Sequence, residues 1–498
     1  MAFNRDRQLV SITRLISGIL LLISLLFMST GVMASQENAI NSTLPIEAAD
    51  CLIVDKDKNI LMIDEAISGR YSIPGGSIIG EETPEQTAKR EAYEETGLHV
   101  NVGQQIARTY NSAIFACQLA SPTQYFIDSM GRKVLMAWSA PHFGKEVTRV
   151  LMMPDNKAVR DNYRFPEHKW MFRHWVPEVP PSEFVLSEGD SVVLTPFYRA
   201  QLSVLQSLHE WKDESAVVKA LVKATIVLGS LFTPMLFLGT LIFIRAYHGY
   251  RAALLYGAGL LSLSVFVLIL TTVIELPRPY FIDPVFGEQD TLGYTLPSCM
   301  VALTTFFFSW LLLNWDKEVC PAGRKRLFAG AVICVSAISG KVMLLGEHYP
   351  SDMVLGLLIG LGFAVGFKRL REWRFANRNR ALISARFWLM SFVATALIGI
   401  IIHKPHIVYL SAFCLGTYCA ILWLKAFPLY ISAVRRPAKL TFFMIALAGV
   451  LAILYADYVI SSRYAVNTII VAVNCAAAWG ISVWLLVVTP RIFHQFVR

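Results

Sequence analysis

Charge is scarce in this sequence, and its cysteines make no metal-binding pattern. Of 498 residues only 16% are charged, against 55% hydrophobic, and the mean hydropathy is +0.50. An ordinary soluble multidomain enzyme carries roughly a quarter of its residues as charges, so that class is excluded and the chain must be largely a membrane protein. The 8 cysteines lack the paired spacings of metal ligands. Aromatic and basic residues do not interleave in any patch, so the formal net charge of +9 does not mark a nucleic-acid surface. Only Cys51 and Cys117 lie outside the C-terminal apolar region; an oxidising compartment would permit a disulfide between them, and the sequence leaves open whether it forms.

What the chain has instead is long apolar runs. Nine are read as membrane spans, near 219–244, 252–274, 298–314, 327–346, 351–367, 381–402, 406–424, 440–460 and 465–489. One alternate set of connections holds Arg245 and Arg251, then Lys317, Arg324, Lys325 and Arg326, then Lys368, Arg369, Arg371, Arg374, Arg378 and Arg380, then Lys425, Arg435, Arg436 and Lys439. The other set holds Arg278, Lys341, Lys404 and Arg463. The positive-inside rule makes the first set cytoplasmic and starts the first span outside. The N-terminus agrees. Arg5, Arg7 and Arg14 precede an apolar run from Ile16 to Met33, with small residues at Ala34 and Ser35. Residues 1–35 are therefore read as a secretory signal or an uncleaved anchor. Either delivers the next domain to the periplasmic or outer side of the inner (cell) membrane.

From about Ala48 to Asp213 the chain turns mixed. Asp50 to Ile63 reads as two strands around a polar turn at Asp55 to Asn59, and β-like pieces follow at 99–118 and 132–152. Val176 to Ser182 reads as a rigid linker or a lid loop, and Pro196 to Trp211 as a helix leading to the membrane.

The densest chemistry lies in Gly76 to Leu98. Thr83, Pro84 and Gln86 are an N-cap, a first helical proline and a capping-box partner, and Gly97 is the C-terminal stop. On that helix Glu91, Glu94 and Glu95 stand at i, i+3 and i+4, so three carboxylates crowd one face. A hard divalent cation relieves their repulsion and neutralises a substrate diphosphate. The skeleton is Gly76, five residues, Glu82, seven residues, Arg90-Glu91, two residues, Glu94-Glu95, one residue, Gly97-Leu98. It resembles the signature of the Nudix hydrolases, over roughly residues 48–185. The resemblance implies metal-dependent cleavage of a diphosphate linkage. Glu91, Glu94 and Glu95 would hold Mg²⁺ or Mn²⁺, with Glu91 the first choice to help activate water. Arg90 would orient the cluster, Glu82 brace it, and Gly75 and Gly76 allow a close turn beneath the diphosphate.

A second constellation sits in the outward connections. Leu276-Pro277-Arg278-Pro279, Leu296-Pro297-Ser298-Cys299-Met300 and Gly346-Glu347-His348-Tyr349-Pro350-Ser351-Asp352 resemble, in order and spacing, the three motifs of the type-2 phosphatidic acid phosphatases. The resemblance covers residues 217–370. It implies His348 as nucleophile, Asp352 as its orienter, and Arg278 and Ser298 as phosphate contacts. The chain departs at Thr271 for the first-motif lysine, at Cys299 and Met300 for the glycine and acid histidine, and at Lys341 and Val342 for the Ser-Arg pair.

The expected fold is therefore a soluble α/β/α Nudix-like sandwich, a helical linker at 186–216, and an all-α polytopic membrane bundle. Four further spans at 371–498 have no readable role. The expected activity is outward-facing hydrolysis of a lipid diphosphate or a nucleotide sugar. The alternatives are a metal-free lipid phosphatase acting through His348, or a membrane domain that only binds lipid and anchors the enzyme. The partners are the lipid bilayer and a phosphorylated small molecule, not nucleic acid.

Overall fold

The computed structural model describes residues 45–496 apart from 110, 129, 167, 188–193, 287–292, 315–320, 373–380 and 428–435. The expected signal segment and the basic residues Lys317, Arg374, Arg378, Arg380 and Arg435 lie outside the described residues.

The N-terminal half contains β1 (Ala48–Leu52), β2 (Ile60–Glu65), β3 (Tyr71–Ser72), β4 (Gly75–Ser77), β5 (Val100–Thr109), β6 (Ser112–Leu119), β7 (Thr123–Ile127), β8 (Lys133–Leu135), β9 (Val147–Met153) and β10 (Phe184–Leu186). They form a four-stranded sheet in the order β4-β1-β6-β5 and a six-stranded sheet in the order β10-β7-β8-β9-β2-β3. β1 and β2 flank the expected polar turn, yet they belong to different sheets. Each strand is apolar on both faces, and alternate residues feed different cores. Ala49, Cys51, Leu61, Ile63, Ala113 and Phe115 pack with Ala88 and Ala92 of helix α1 (Pro84–Thr96). Leu52, Val54, Ile60, Met62, Ile114 and Ala116 pack with Val159 of α2 (Lys157–Asp161) and with Phe172 and Trp175 of α3 (Phe172–Trp175). Helices thus cover both faces, which is the α/β/α sandwich. Cys51 and Cys117 form a disulfide between β1 and β6, Cα to Cα 5.6 Å.

Val176 to Ser182 is neither linker nor lid. Val176 and Val179 are buried in the second core, and the Ser182 hydroxyl accepts the Leu119 N–H at 3.0 Å. Proline content marked a stiff segment, but two apolar side chains decided where it packs. Beside it His168 is buried against Tyr163, Phe165 and Trp175. Burial holds its imidazole down at about 4. The unfolded chain therefore binds a proton that the folded one refuses between about pH 6.5 and 4, so stability falls as pH drops through that window. His168→Phe is expected to flatten this acid loss by roughly 2 kcal/mol, read from unfolding at pH 7 and pH 4.5.

Helix α4 (Pro196–Trp211) has the expected bounds but is no free linker. Leu205 is buried with Tyr280, Phe286 and Tyr349, Gln201 Oε1 accepts the Ser351 N–H at 2.8 Å, and Gln206 Nε2 donates to Asp283 at 2.6 Å.

The remaining helices are α5 (Ala216–Ser230), α6 (Pro234–Ile274), α7 (Pro279–Ile282), α8 (Cys299–Asn314), α9 (Pro321–Leu344), α10 (Pro350–Glu372), α11 (Ala385–Ile402), α12 (Pro405–Ala426), α13 (Arg436–Ser461), α14 (Asn467–Val483) and α15 (Thr489–Phe496). Among the described residues seven helical segments are long and apolar enough to cross a membrane, and Cys299–Leu313 is a shorter apolar helix. Met390, Ile400, Ile401, Tyr455 and Tyr458 on α11 and α13 stay more than two-thirds exposed, the outward apolar surface of a multi-pass membrane protein.

α6 is a hairpin. The Thr240 and Tyr256 hydroxyls lie 3.0 Å apart, although sixteen residues of straight helix would separate them by about 24 Å. The reversal is at Gly249, with φ 86° and ψ 175°, a conformation that a side chain would strain. The expected first span, 219–244, is corrected here: it is broken into α5 and the first arm of α6. Pro234, lacking an N–H, restarts the helix after Thr233, a break that averaged hydropathy cannot register.

Candidate functional sites

The acidic helix α1 forms as its sequence dictates. The Thr83 hydroxyl accepts the Gln86 N–H, the Gln86 side chain accepts the Thr83 N–H at 2.9 Å, and Gly97 closes the helix at φ 73°. Arg90 then works as a hub. Its Nε donates to Glu82 at 2.8 Å, its Nη1 to Glu91 at 2.7 Å and Glu94 at 2.8 Å, and its Nη2 to the Ser77 carbonyl at 3.0 Å. One rigid cation thus gathers three carboxylates. Hydrogen bonds from Arg90 hold Glu82 down at about 2. Glu91 moves the other way: burial outweighs the Arg90 hydrogen bond and raises its carboxyl above the ordinary value.

Glu91 and Glu94 converge with His142, all three ligand atoms lying within 4.8 Å of one another. This donor set differs from the expected one. Glu95, outside that trio, accepts the Gly75 N–H of β4 at 2.9 Å, and burial, with the Glu91 charge, raises its carboxyl well above the ordinary range. His142 comes from the loop before β9, with its imidazole 3.8 Å from Glu94 and 3.3 Å from Glu146. The Glu146 carboxylate beside it raises its proton affinity. Forty-eight residues separate Glu94 from His142, and a solitary Pro-His pair carries no periodic signal.

The glycines act inside the protein. A Cβ at Gly76 would stand 2.4 Å from Glu91 Oε1, and one at Gly75 would stand 2.1 Å from Asp50 Oδ1. Within the protein their close approach is to the carboxylates of Glu91 and Asp50. Asp50, also missed in the sequence, is raised to about 6 by its burial despite a hydrogen bond from Ser112.

The second site gathers around His348. Its Nδ1 is 2.9 Å from the Thr295 hydroxyl and 3.5 Å from Asp352 Oδ2, and its Nε2 is 3.3 Å from Arg278 Nη1. The Thr295 hydroxyl donates its one proton to Asp352. It must therefore accept from Nδ1–H, which leaves the lone pair on Nε2. Burial and the Arg278 cation lower the proton affinity of His348, with Asp352 opposing them. Asp352 also accepts the Tyr349 N–H at 2.8 Å. Arg278 is anchored by the carbonyls of Gly293 at 2.8 Å and Glu347 at 2.9 Å. The Ser298 side chain is fully buried, and its hydroxyl finds no hydrogen-bond partner among the described residues. Thr295 was not singled out from the sequence, although it stands three residues before Ser298. Lys341 is 3.9 Å from Glu347. Asn474 bonds between helices, accepting from Ser461 at 3.1 Å and donating to Tyr409 at 3.0 Å.

The two sites share a wall. Phe143 packs edge-on against Phe281 and Tyr294, with ring centroids 5.2 and 5.6 Å apart. The Tyr294 hydroxyl donates to the Trp138 carbonyl at 3.1 Å. The loop carrying His142 is therefore seated on the segments that carry Arg278 and Thr295.

Comparison with known proteins accounts for both halves. The NUDIX domain model matches residues 44–139 and the PAP2 superfamily model matches residues 252–376. A MutT-like protein of Streptomyces ambofaciens is 34% identical over 70 residues, 14% of this chain. The chain spans 46% of that relative's length.

Proposed function

We propose that this protein hydrolyses a lipid diphosphate or nucleotide sugar at a metal-dependent Nudix site on the periplasmic or outer side of the membrane. The observation that carries the reading is the convergence of Glu91, Glu94 and His142 under the Arg90 hub. Two carboxylates and an imidazole fit Mg²⁺ or Mn²⁺, and the imidazole tilts the set toward Mn²⁺. When bound, such an ion neutralises diphosphate charge and makes water more acidic. Arg90 keeps the carboxylates from splaying, and Glu91, desolvated and proton-hungry, takes the proton of the attacking water. The disulfide supports an oxidising compartment, in agreement with the charge asymmetry of the spans.

The His348 geometry favours a second, metal-free activity in the same chain. Nε2 is placed to form a bond to phosphorus as the bond to the leaving oxygen breaks, with Asp352 and Thr295 holding Nδ1–H. Met300 cannot protonate a leaving alkoxide. A leaving phosphate needs no such proton, so the departure at Met300 suits a diphosphate better than a monoester.

The test is hydrolysis of a long-chain isoprenoid diphosphate by the whole protein in micelles, with Mn²⁺ or with chelator. Chelator is expected to remove the larger share of turnover, and His348→Ala the remainder. Turnover indifferent to chelator would overturn the Nudix assignment. A chelator-resistant share untouched by His348→Ala would overturn the second activity.

A further inference from the structure

Lys404 is the most unusual cation outside the motifs. It stands in the turn between α11 and α12, beyond the PAP2-matched residues. It is only 7% exposed, and among the described residues its ammonium has neither a hydrogen bond nor an ion pair. Its position is next to the membrane site: a Cβ on Gly293 would lie 3.9 Å from Lys404 Nζ, and the Gly293 carbonyl is the one that anchors Arg278. Burial, with the nearby charges of Lys145 and Arg278, pushes Lys404 down to about 8, and Glu275 offsets this only in part. A buried ammonium without a partner is costly unless an anion completes its surroundings. The Ser298 hydroxyl, in the segment that follows Thr295, is likewise buried and without a partner among the described residues. Meanwhile Thr271, where a lysine would be expected, has turned its hydroxyl to the Val267 and Leu268 carbonyls at 3.1 and 3.0 Å.

We propose that Lys404 is a phosphate-binding residue of the membrane site, supplying with Arg278 the cation that Thr271 cannot, so that the α11–α12 pair completes the pocket. This rests on reading the His348 cluster as a phosphate site. The ligand is a phosphoryl group, whether on a lipid headgroup or free. Lys404 arrives from a helix pair that the motifs do not include, which gives part of the C-terminal region a chemical role.

The experiment uses the full chain in micelles with excess chelator, which silences the metal-dependent site. Inorganic phosphate and a micellar phosphomonoester lipid are titrated in separate arms, read as the rise in thermal midpoint. Lys404→Met is expected to weaken binding about tenfold or more, while Lys404→Arg stays within about threefold. Without ligand, Lys404→Met should melt no lower than wild type, since it removes an unpaired buried charge; a residue serving only to hold the turn would melt lower. Lys404→Gln is a second neutral variant should the methionine disturb folding. The arm that binds more tightly names the source of the phosphoryl group, and a loss in either arm supports the proposal. If Arg278→Met weakens binding and neutral Lys404 variants do not, the proposal fails while the phosphate site stands. If Arg278→Met and His348→Ala also leave affinity unchanged, the reading of the site itself fails.

Discussion

Glu91→Gln is expected to lower kcat/KM for metal-dependent diphosphate cleavage by about 10²- to 10⁴-fold while leaving the thermal midpoint equal or higher. The two effects have opposite signs because they come from the same burial. Glu91 is 7% exposed, and burial raises its carboxyl above the ordinary value despite the bond from Arg90. A carboxyl whose folded pKa is raised costs stability above that pKa, and the cost is relieved as pH falls through it. Glutamine keeps the shape and an oxygen for Arg90 while removing the charge. Activity then declines because a cation has lost an anionic ligand and water has lost its base, and stability does not. Steady-state kinetics beside a melting curve separate these outcomes, and a large fall in both would mean that Glu91 holds the fold.

Removing the disulfide, as Cys51→Ala with Cys117→Ala, is expected to cost the soluble half about 4 kcal/mol. The crosslink closes a loop of 66 residues, and the chain-entropy relation for a loop of that length gives about this value. Both cysteines are fully buried in the first core, so alanine adds a small cavity cost. The midpoint for heat inactivation of the metal-dependent activity should fall by roughly 10 °C. Reductant acting on the wild-type chain should reproduce the shift and have no effect on the double variant. Equal midpoints with and without reductant in wild type would mean that the thiols are unlinked in the working protein.

The acidic helix was legible to the residue because everything that forms it is local. Its cap, capping box, first proline and terminal glycine act within four residues, and the i, i+3, i+4 spacing follows from helix geometry alone. The same holds for α4, whose bounds from Pro196 to Trp211 were readable, and for most of the apolar spans. The break at Pro234 and the reversal at Gly249 were blurred because hydropathy averages over a turn. Glu95 shows the limit of periodicity: it shares the face of Glu91 and Glu94, yet the edge of β4 captures it through the Gly75 N–H.

The sequence by itself determined an α/β half with a carboxylate-bearing helix, a helical membrane half, and the motif residues His348, Asp352, Arg278 and Ser298. The two halves and the helix rest on hydropathy, periodicity and capping, which a linear chain displays, and the four motif residues on the resemblance of three short motifs to a known family. Only the tertiary structure decided that His142 joins Glu91 and Glu94, that the Thr295 hydroxyl meets His348, that Lys404 lies beside Gly293, and that the His142 loop is seated on the segments carrying Arg278 and Thr295. Each of those contacts joins residues dozens of positions apart. Such juxtapositions are made by packing of two cores and a helix bundle, and no local pattern in the chain encodes them.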